Sequence, residues 1–247
     1  MPSEVRPLIE SMNALLQRLS AALSSQQRFI ADAAHQLRTP IAGLRTQTEL
    51  ALRLSAPEEV RATLTQLQTA AEHTTHLVNQ LLSLARAEPS AEPAQAMERL
   101  DVMALARATT TEWVPRALAR GIDLGFDGPD TTAHVNGDNF LLREMLGNLI
   151  DNAIRYTQRG GHVTVRVTPA PDAIAIAVED NGPGIPENER DAVLERFHRV
   201  LGTGVEGCGL GLAIVREIIL RHSGNIRLLA GAGNLGTLAL VALPVAV

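Results

Sequence analysis

The sequence predicts a helical hairpin followed by a two-layer α/β domain, and three observations predict it. Apolar residues recur every seven positions through the first part of the chain: Ile9, Leu16, Leu23, Ile30, Leu37, Leu44 and Ala51, with Met12, Leu19 and Ala33 at the companion spacing. The periodicity then fails across Glu88–Glu98, which holds two prolines. From Arg99 onward helical spacing and strand alternation mix, and most of the 19 glycines lie there.

A seam sustained over six heptads is coiled-coil-like rather than the stripe of one globular helix. The first helix is expected to reach about Leu54, roughly 75 Å at ~1.5 Å per residue. Ser55-Ala56-Pro57-Glu58 reads as a stop and restart, with Ser55 as N-cap and Pro57 tolerated in the first turn. A second seam follows in Val60, Leu64, Leu67, Ala71, Thr74, Val78, Leu81 and Ala85. A hairpin of two such helices cannot hide both seams alone. Pairing two hairpins in a four-helix bundle does, so a homodimer is expected; the other solution is a monomer packed on the second half.

Glu88–Glu98 is read as a linker. Beyond it, Val102–Leu118 and Phe140–Ile154 have helical spacing, while His162–Val167 and Ile174–Val178 alternate as strands around the turn Pro169-Ala170-Pro171. Leu210–Leu220 is an apolar helix opened by glycines, and Leu238–Leu243 is a closing strand.

Composition narrows the function classes. The 247 residues are 45% hydrophobic and 20% charged, as in ordinary globular proteins. With 22 basic against 27 acidic residues, the net charge of −5 argues against a nucleic-acid binder. A lone cysteine, Cys208, excludes an internal disulfide framework. No stretch approaches the ~18 consecutive apolar residues of a membrane span. With four Phe, one Tyr and one Trp, the core must be built from Leu, Ile, Val and Ala.

Three glycine- or asparagine-bearing segments carry the chemistry. Asp180-Asn181-Gly182-Pro183-Gly184-Ile185 follows a strand end. Its glycines let backbone approach a flat ligand, and Asp180 offers an acceptor to an exocyclic amine; an ordinary strand-exit turn would look the same. Gly207-Cys208-Gly209-Leu210-Gly211-Leu212 leads into a helix, whose free N–H groups and positive end suit phosphate oxygens. It lacks the Gly-Lys-Ser/Thr ending of a phosphate loop and the GxGxxG spacing of a dinucleotide fingerprint. Asn148 and Asn152 lie four apart on one helical face, with Arg155 close to the next turn. Such a pair either makes polar helix contacts or holds Mg²⁺, a hard cation that takes oxygen ligands.

These segments in this order, with His35-Gln36-Leu37-Arg38-Thr39-Pro40 upstream, resemble the sensor histidine kinases of bacterial two-component systems. The resemblance implies that 26–87 is a dimerisation and histidine-phosphotransfer domain, 88–98 a linker, and 99–247 an ATP-binding domain of the Bergerat (GHKL) type shared with gyrase and the heat-shock chaperone. Residues 1–25 resemble the last helix of the membrane-proximal relay module (HAMP). That implies the cytoplasmic portion of a longer inner-membrane protein, attached through a part missing here.

Residue roles follow from the resemblance. His35 matches the phosphate-accepting histidine; its heptad position, pointing outward, permits the role without proving it. Pro40 should bend the helix beside it. Thr39 matches the residue that positions water where family members dephosphorylate their partner. Asn152 matches the Mg²⁺ ligand, and Asn148 stands where related ATPases place a catalytic glutamate; an amide cannot activate water, which suits transfer to histidine rather than hydrolysis. Arg155 and Arg199 are expected at the phosphates, Tyr156 near the nucleotide, and Asp180 with Gly182 and Gly184 at the adenine. Gly207, Gly209, Leu210, Gly211 and Leu212 match the phosphate-side box, Leu194 and Phe197 a phenylalanine-bearing box, and Thr237 after Gly236 the final turn at the adenine. Arg199 to about Gly207 would be a lid. His73, His76 and the other histidines read as structural, and Cys208 as a tolerated small residue.

The expected function is ATP- and Mg²⁺-dependent autophosphorylation of His35, then transfer to an aspartate on a response-regulator receiver domain, with phosphatase activity toward it. A GHKL-type ATPase and a non-catalytic regulator-binding scaffold are the alternatives. Gln36 departs from the acidic residue common after the histidine. It can orient the imidazole but not take its proton, so a slow autokinase is expected.

Overall fold

The computed structural model describes residues 12, 16, 33, 37, 39–52, 57–87, 97–200 and 209–246. The chain divides into two compact units, Met1–Leu81 and Leu82–Val247.

In the first unit, residues 39–51 form helix α1, and Leu52 already lies in a turn, short of the expected Leu54. Ala33, Leu37, Pro40, Leu44, Gln47 and Ala51 are half-buried while the described residues between them are exposed. This 4-3-4-3-4 rhythm is the predicted heptad seam made physical. Met12 and Leu16, further back on it, are each 53% exposed. Pro40 is helical, but the residues that would reveal a bend beside it, and the proposed cap Ser55, lie outside the described set. Helix α2, Pro57–Ala87, begins on its proline and carries Glu58 and Glu59 in the first turn, where the helix dipole favours acidic groups.

The described residues of the second seam fall on two stripes in the single chain. The covered stripe is Val60, Thr63, Leu67, Ala70 and Thr74, whereas Leu64, Ala71 and Val78 are exposed. Among the described residues, Val60, Leu67 and Thr74 are common to this stripe and the predicted seam. The reason is geometric: a bundle helix with two neighbours needs two adjacent stripes, and residues one position apart fall on different ones.

In the second unit a five-stranded sheet is ordered β2-β4-β5-β7-β6. The strands are β2 (Asp123–Asp127), β4 (His162–Pro169), β5 (Ala173–Asp180), β6 (Asn225–Ala230) and β7 (Thr237–Pro244). β2 pairs parallel to β4 and all other pairs are antiparallel. Two short strands, β1 (Glu98–Asp101) and β3 (His134–Gly137), form a separate antiparallel ribbon. Glu98 therefore belongs to a strand, not to a linker. Pro169 likewise ends β4, and the turn is closed by the Ala170 N–H donating to the Ala173 carbonyl at 2.9 Å.

Helices α3 (Val102–Ala119), α4 (Asn139–Tyr156) and α5 (Gly211–Arg221) make the second layer. Alternate residues Val163, Val165 and Val167, then Ile174, Ile176 and Val178, then Ala239, Val241 and Leu243 are buried, giving the sheet one apolar face. α4 sets Leu142, Met145, Leu146, Ile150 and Ile154 into the core, and α5 sets Ile214 and Ile218, all fully buried. Asp101 caps α3 by accepting from the Met103 and Ala104 N–H groups, and Asp138 caps α4 through the Leu141 N–H.

Candidate functional site

The strand β5 delivers Asp180 to the end of the sheet, beside the start of β7. Asp180 is 7% exposed. Its Oδ1 accepts from the Gly182 N–H at 2.8 Å and the Thr237 N–H at 3.2 Å. Burial raises its pKa above the usual carboxylate value; the two N–H bonds work against that shift. The second oxygen has neither of these two bonds, so the carboxylate can accept from a ligand amine.

Close backbone approach shapes this end of the site. Gly236 has φ +71° and its missing Cβ would overlap the Asp180 carbonyl; Gly184 has φ +75°, and a Cβ there would stand 2.7 Å from the Gly236 oxygen. A Cβ on Gly182 would be 2.9 Å from the Tyr156 carbonyl oxygen. Asp180, Gly182, Gly184, Tyr156, Gly236 and Thr237, spread over 82 residues of sequence from Tyr156 to Thr237, thus form one cluster.

The second cluster lies where α4 meets α5. Asn148 is buried, with its Nδ2 donating to the Glu144 carbonyl at 2.8 Å; Asn152 is half-buried one turn on. Gly211 opens α5 directly against both. A Cβ there would be 3.3 Å from Asn148 Oδ1 and 3.3 Å from Asn152 Nδ2, so glycine keeps the space before the two amides open. Leu210, fully buried, precedes the helix, Leu212 is half-buried, and among the described residues no side chain caps this N-terminus. Among the described residues no group of three or more His, Cys, Asp or Glu could hold a metal. The set fits Mg²⁺, which is held by one or two protein oxygens together with phosphates and waters.

Arg155 pairs with an acidic neighbour: its Nε lies 2.6 Å from Asp151 Oδ2, and Arg116 reaches Asp151 Oδ1 at 3.2 Å. Phe197 adopts φ +63°, a left-handed conformation unusual for an aromatic residue, and its N–H donates to the Gly209 carbonyl at 2.9 Å. Leu194 sits in the short turn just before it, and Arg199 is exposed. Thr39 is exposed on α1. His35, Gln36, Gly207, Cys208 and most of the expected lid lie outside the described residues.

Residues 137–246 match the family model described as histidine kinase-, DNA gyrase B- and HSP90-like ATPase, and residues 25–90 match the His Kinase A (phospho-acceptor) domain. A solved mycobacterial sensor histidine kinase, MprB, is 32% identical, with 60% of this chain matching 97% of that one at a TM-score of 0.54. The chain belongs to the sensor histidine kinases. Its second unit carries the family's ATP-binding domain. The sensor kinase PmrB of Pseudomonas aeruginosa is 38% identical over 244 residues, covering 98% of this chain and 50% of the relative. MprB of Mycobacterium sp., named a histidine-protein kinase/phosphatase, is 34% identical over 253 residues, covering 98% and 48%. The kinase chain thus spans about half the length of these relatives. The solved histidine kinase AdeS of Acinetobacter baumannii, 26% identical, matches 85% of this chain and 97% of its own at a TM-score of 0.67.

Two residues of this kinase escaped sequence reading. Asp151, four before Arg155, had a visible signal in that spacing. His222, grouped with the structural histidines, had none: its partner, the Asp138 N–H, is 84 residues away. No helix among the described residues is long and apolar enough to cross a membrane.

Proposed function

We propose that the chain is an ATP-dependent autokinase that phosphorylates His35 and passes the group to an aspartate of a response-regulator receiver domain. One observation carries the reading: a single chain joins a phospho-acceptor segment containing His35 to a nucleotide pocket built on Asp180. Asp180 accepts from the adenine amine, and the N-terminal N–H groups of α5 receive phosphate oxygens. Asn152, with Asn148 beside it, would hold Mg²⁺, which neutralises charge on the phosphates. Arg155 can exchange its Asp151 pair for a phosphate.

In the transfer, one imidazole nitrogen of His35 attacks the γ-phosphorus, the bond to the bridging oxygen breaks, and ADP leaves. The neutral form of the imidazole carries the attacking lone pair and needs no base before attack. Gln36 orients the ring, and the released proton passes to solvent. Asn148 cannot take a proton from water, which disfavours plain hydrolysis. Thr39, exposed one turn from His35 in sequence, places a hydroxyl where it can orient water for the reverse phosphatase reaction. The exposed stripe of Leu64, Ala71 and Val78 is covered by a second copy of the chain, giving a homodimeric bundle.

Labelled ATP should yield acid-labile, alkali-stable label on the protein. His35→Ala should remove all of it while leaving ATP affinity intact. Label persisting on that variant overturns the assignment, and steady ATP turnover without phosphoprotein would favour an ATPase.

A further inference from the structure

Helices α4 and α5 run in opposite directions, and each end of the pair has its own contact. At one end Gly211 opens α5 against Asn148 and Asn152. At the other, the chain leaving α5 returns to the start of α4 through His222, which is 4% exposed. Its Nε2 accepts from the Asp138 N–H at 3.0 Å, and its Nδ1 donates to the Ile218 carbonyl at 2.7 Å. The two bonds select one tautomer and use both ring nitrogens. Asp138 is itself the N-cap of α4. The backbone passes directly against the ring: a Cβ on Gly137 would stand 3.0 Å from His222 Cδ2. The charged neighbours are the Asp138 carboxylate on the α4 side and Arg221 on its own element.

We infer that His222 is a positioning residue for the nucleotide site: by tying the start of α4 to the end of α5, it sets the register that holds Gly211 against Asn148 and Asn152. Two helices joined only by apolar side chains can slide by fractions of a turn at modest cost. A directional bond from a buried backbone N–H cannot be lost without leaving that donor unpaired, so it selects one register. The base end of the pocket, built on β5 and β7, has no part in this tie. The consequence is specific: losing the bond should weaken recognition of the phosphates and metal, and leave adenine recognition alone. The inference rests on the reading of this site as an ATP pocket.

The test uses the full chain and calorimetric titration with a non-hydrolysable Mg-ATP analogue and, separately, adenosine. His222→Asn keeps a donor for Ile218 but falls short of Asp138; His222→Gln places an acceptor at the reach of Nε2. His222→Asn should weaken the Mg-ATP analogue by about three- to tenfold, the range expected when a coupling contact outside the ligand shell is cut. Adenosine affinity should stay within about twofold, and His222→Gln should restore analogue binding. Parent-like analogue binding by His222→Asn overturns the inference, as does an equal loss for adenosine and the analogue, which would mark a general loosening of the fold. Should His222→Asn fail to fold, a His222→Gln variant that folds but binds the analogue as poorly as a denatured site overturns it, and parent-like binding supports it. If the parent itself binds neither ligand, the ATP-pocket reading falls first, an outcome distinct from the others.

Discussion

Helices α2 and α4 are both long and amphipathic, yet they end in different states. α4 sinks Leu142, Met145, Leu146, Ile150 and Ile154 completely beneath the sheet. α2, with 31 residues, leaves Leu64 54% exposed and Val78 37% exposed. Seven threonines of the first unit bond within their own helices. Thr46, Thr48, Thr63, Thr65, Thr69, Thr74 and Thr75 each turn the hydroxyl back to the carbonyl four residues earlier in the same helix. The difference teaches that the α/β unit completes its core within one chain, whereas the described residues of the helical unit leave an apolar stripe exposed.

The sharpest way to break this contrast is a matched pair of truncations. Ile150→Ala should cost about 2–5 kcal/mol in thermal or denaturant unfolding of the second unit, because it opens a cavity in a fully buried site. Leu64→Ala should change the stability of an isolated chain by no more than about 0.5 kcal/mol, while weakening self-association in sedimentation. A Leu64 loss as large as that at Ile150, without any change in association, would erase the distinction.

A smaller effect is expected within the second unit. Asp180→Ala should weaken adenine nucleotides by about 1.5–3 kcal/mol, one charge-assisted hydrogen bond, with much less change for guanine nucleotides. Equal losses for both bases would refute base reading by this carboxylate.

The smallest effect is a pH dependence confined to the second unit. Burial lowers the His222 pKa below its ordinary 6.5, with Arg221 adding to the shift while the Ile218 bond and Asp138 oppose it. The unfolded chain therefore takes up this proton first. The neutral ring's contribution is fully present above pH 6.5 and is lost as pH falls below that value toward and through the folded pKa. Chemical denaturation of the second unit should weaken over that window in the parent, and His222→Gln should flatten this component. An identical pH slope in the variant would show that other groups set it.

Much of the site was legible in the sequence because its chemistry sits in contiguous motifs. Asp180 with Gly182 and Gly184, Asn148 with Asn152, and the Gly211 helix start each announce a strand end, a helix face or an open N-terminus. Local periodicity likewise placed α3, α4, α5, β4, β5 and β7 to within a few residues. The edge strands β2 and β6 were not legible: a strand paired on one side and half-covered needs little hydrophobic alternation.

Sequence alone determined the heptad rhythm of α1 and the residue types available for nucleotide chemistry, since these depend on neighbours within a few turns or one strand. Tertiary structure alone decided which stripe of α2 is covered, that Arg155 meets Asp151 and Arg116, and that Gly236 closes on Asp180. It also decided that His222 ties α5 to α4 across 84 residues. Each of these depends on where distant backbone comes to rest, and burial makes a bond at such a place directional and costly to lose, although nothing in the local pattern marks the two partners for each other.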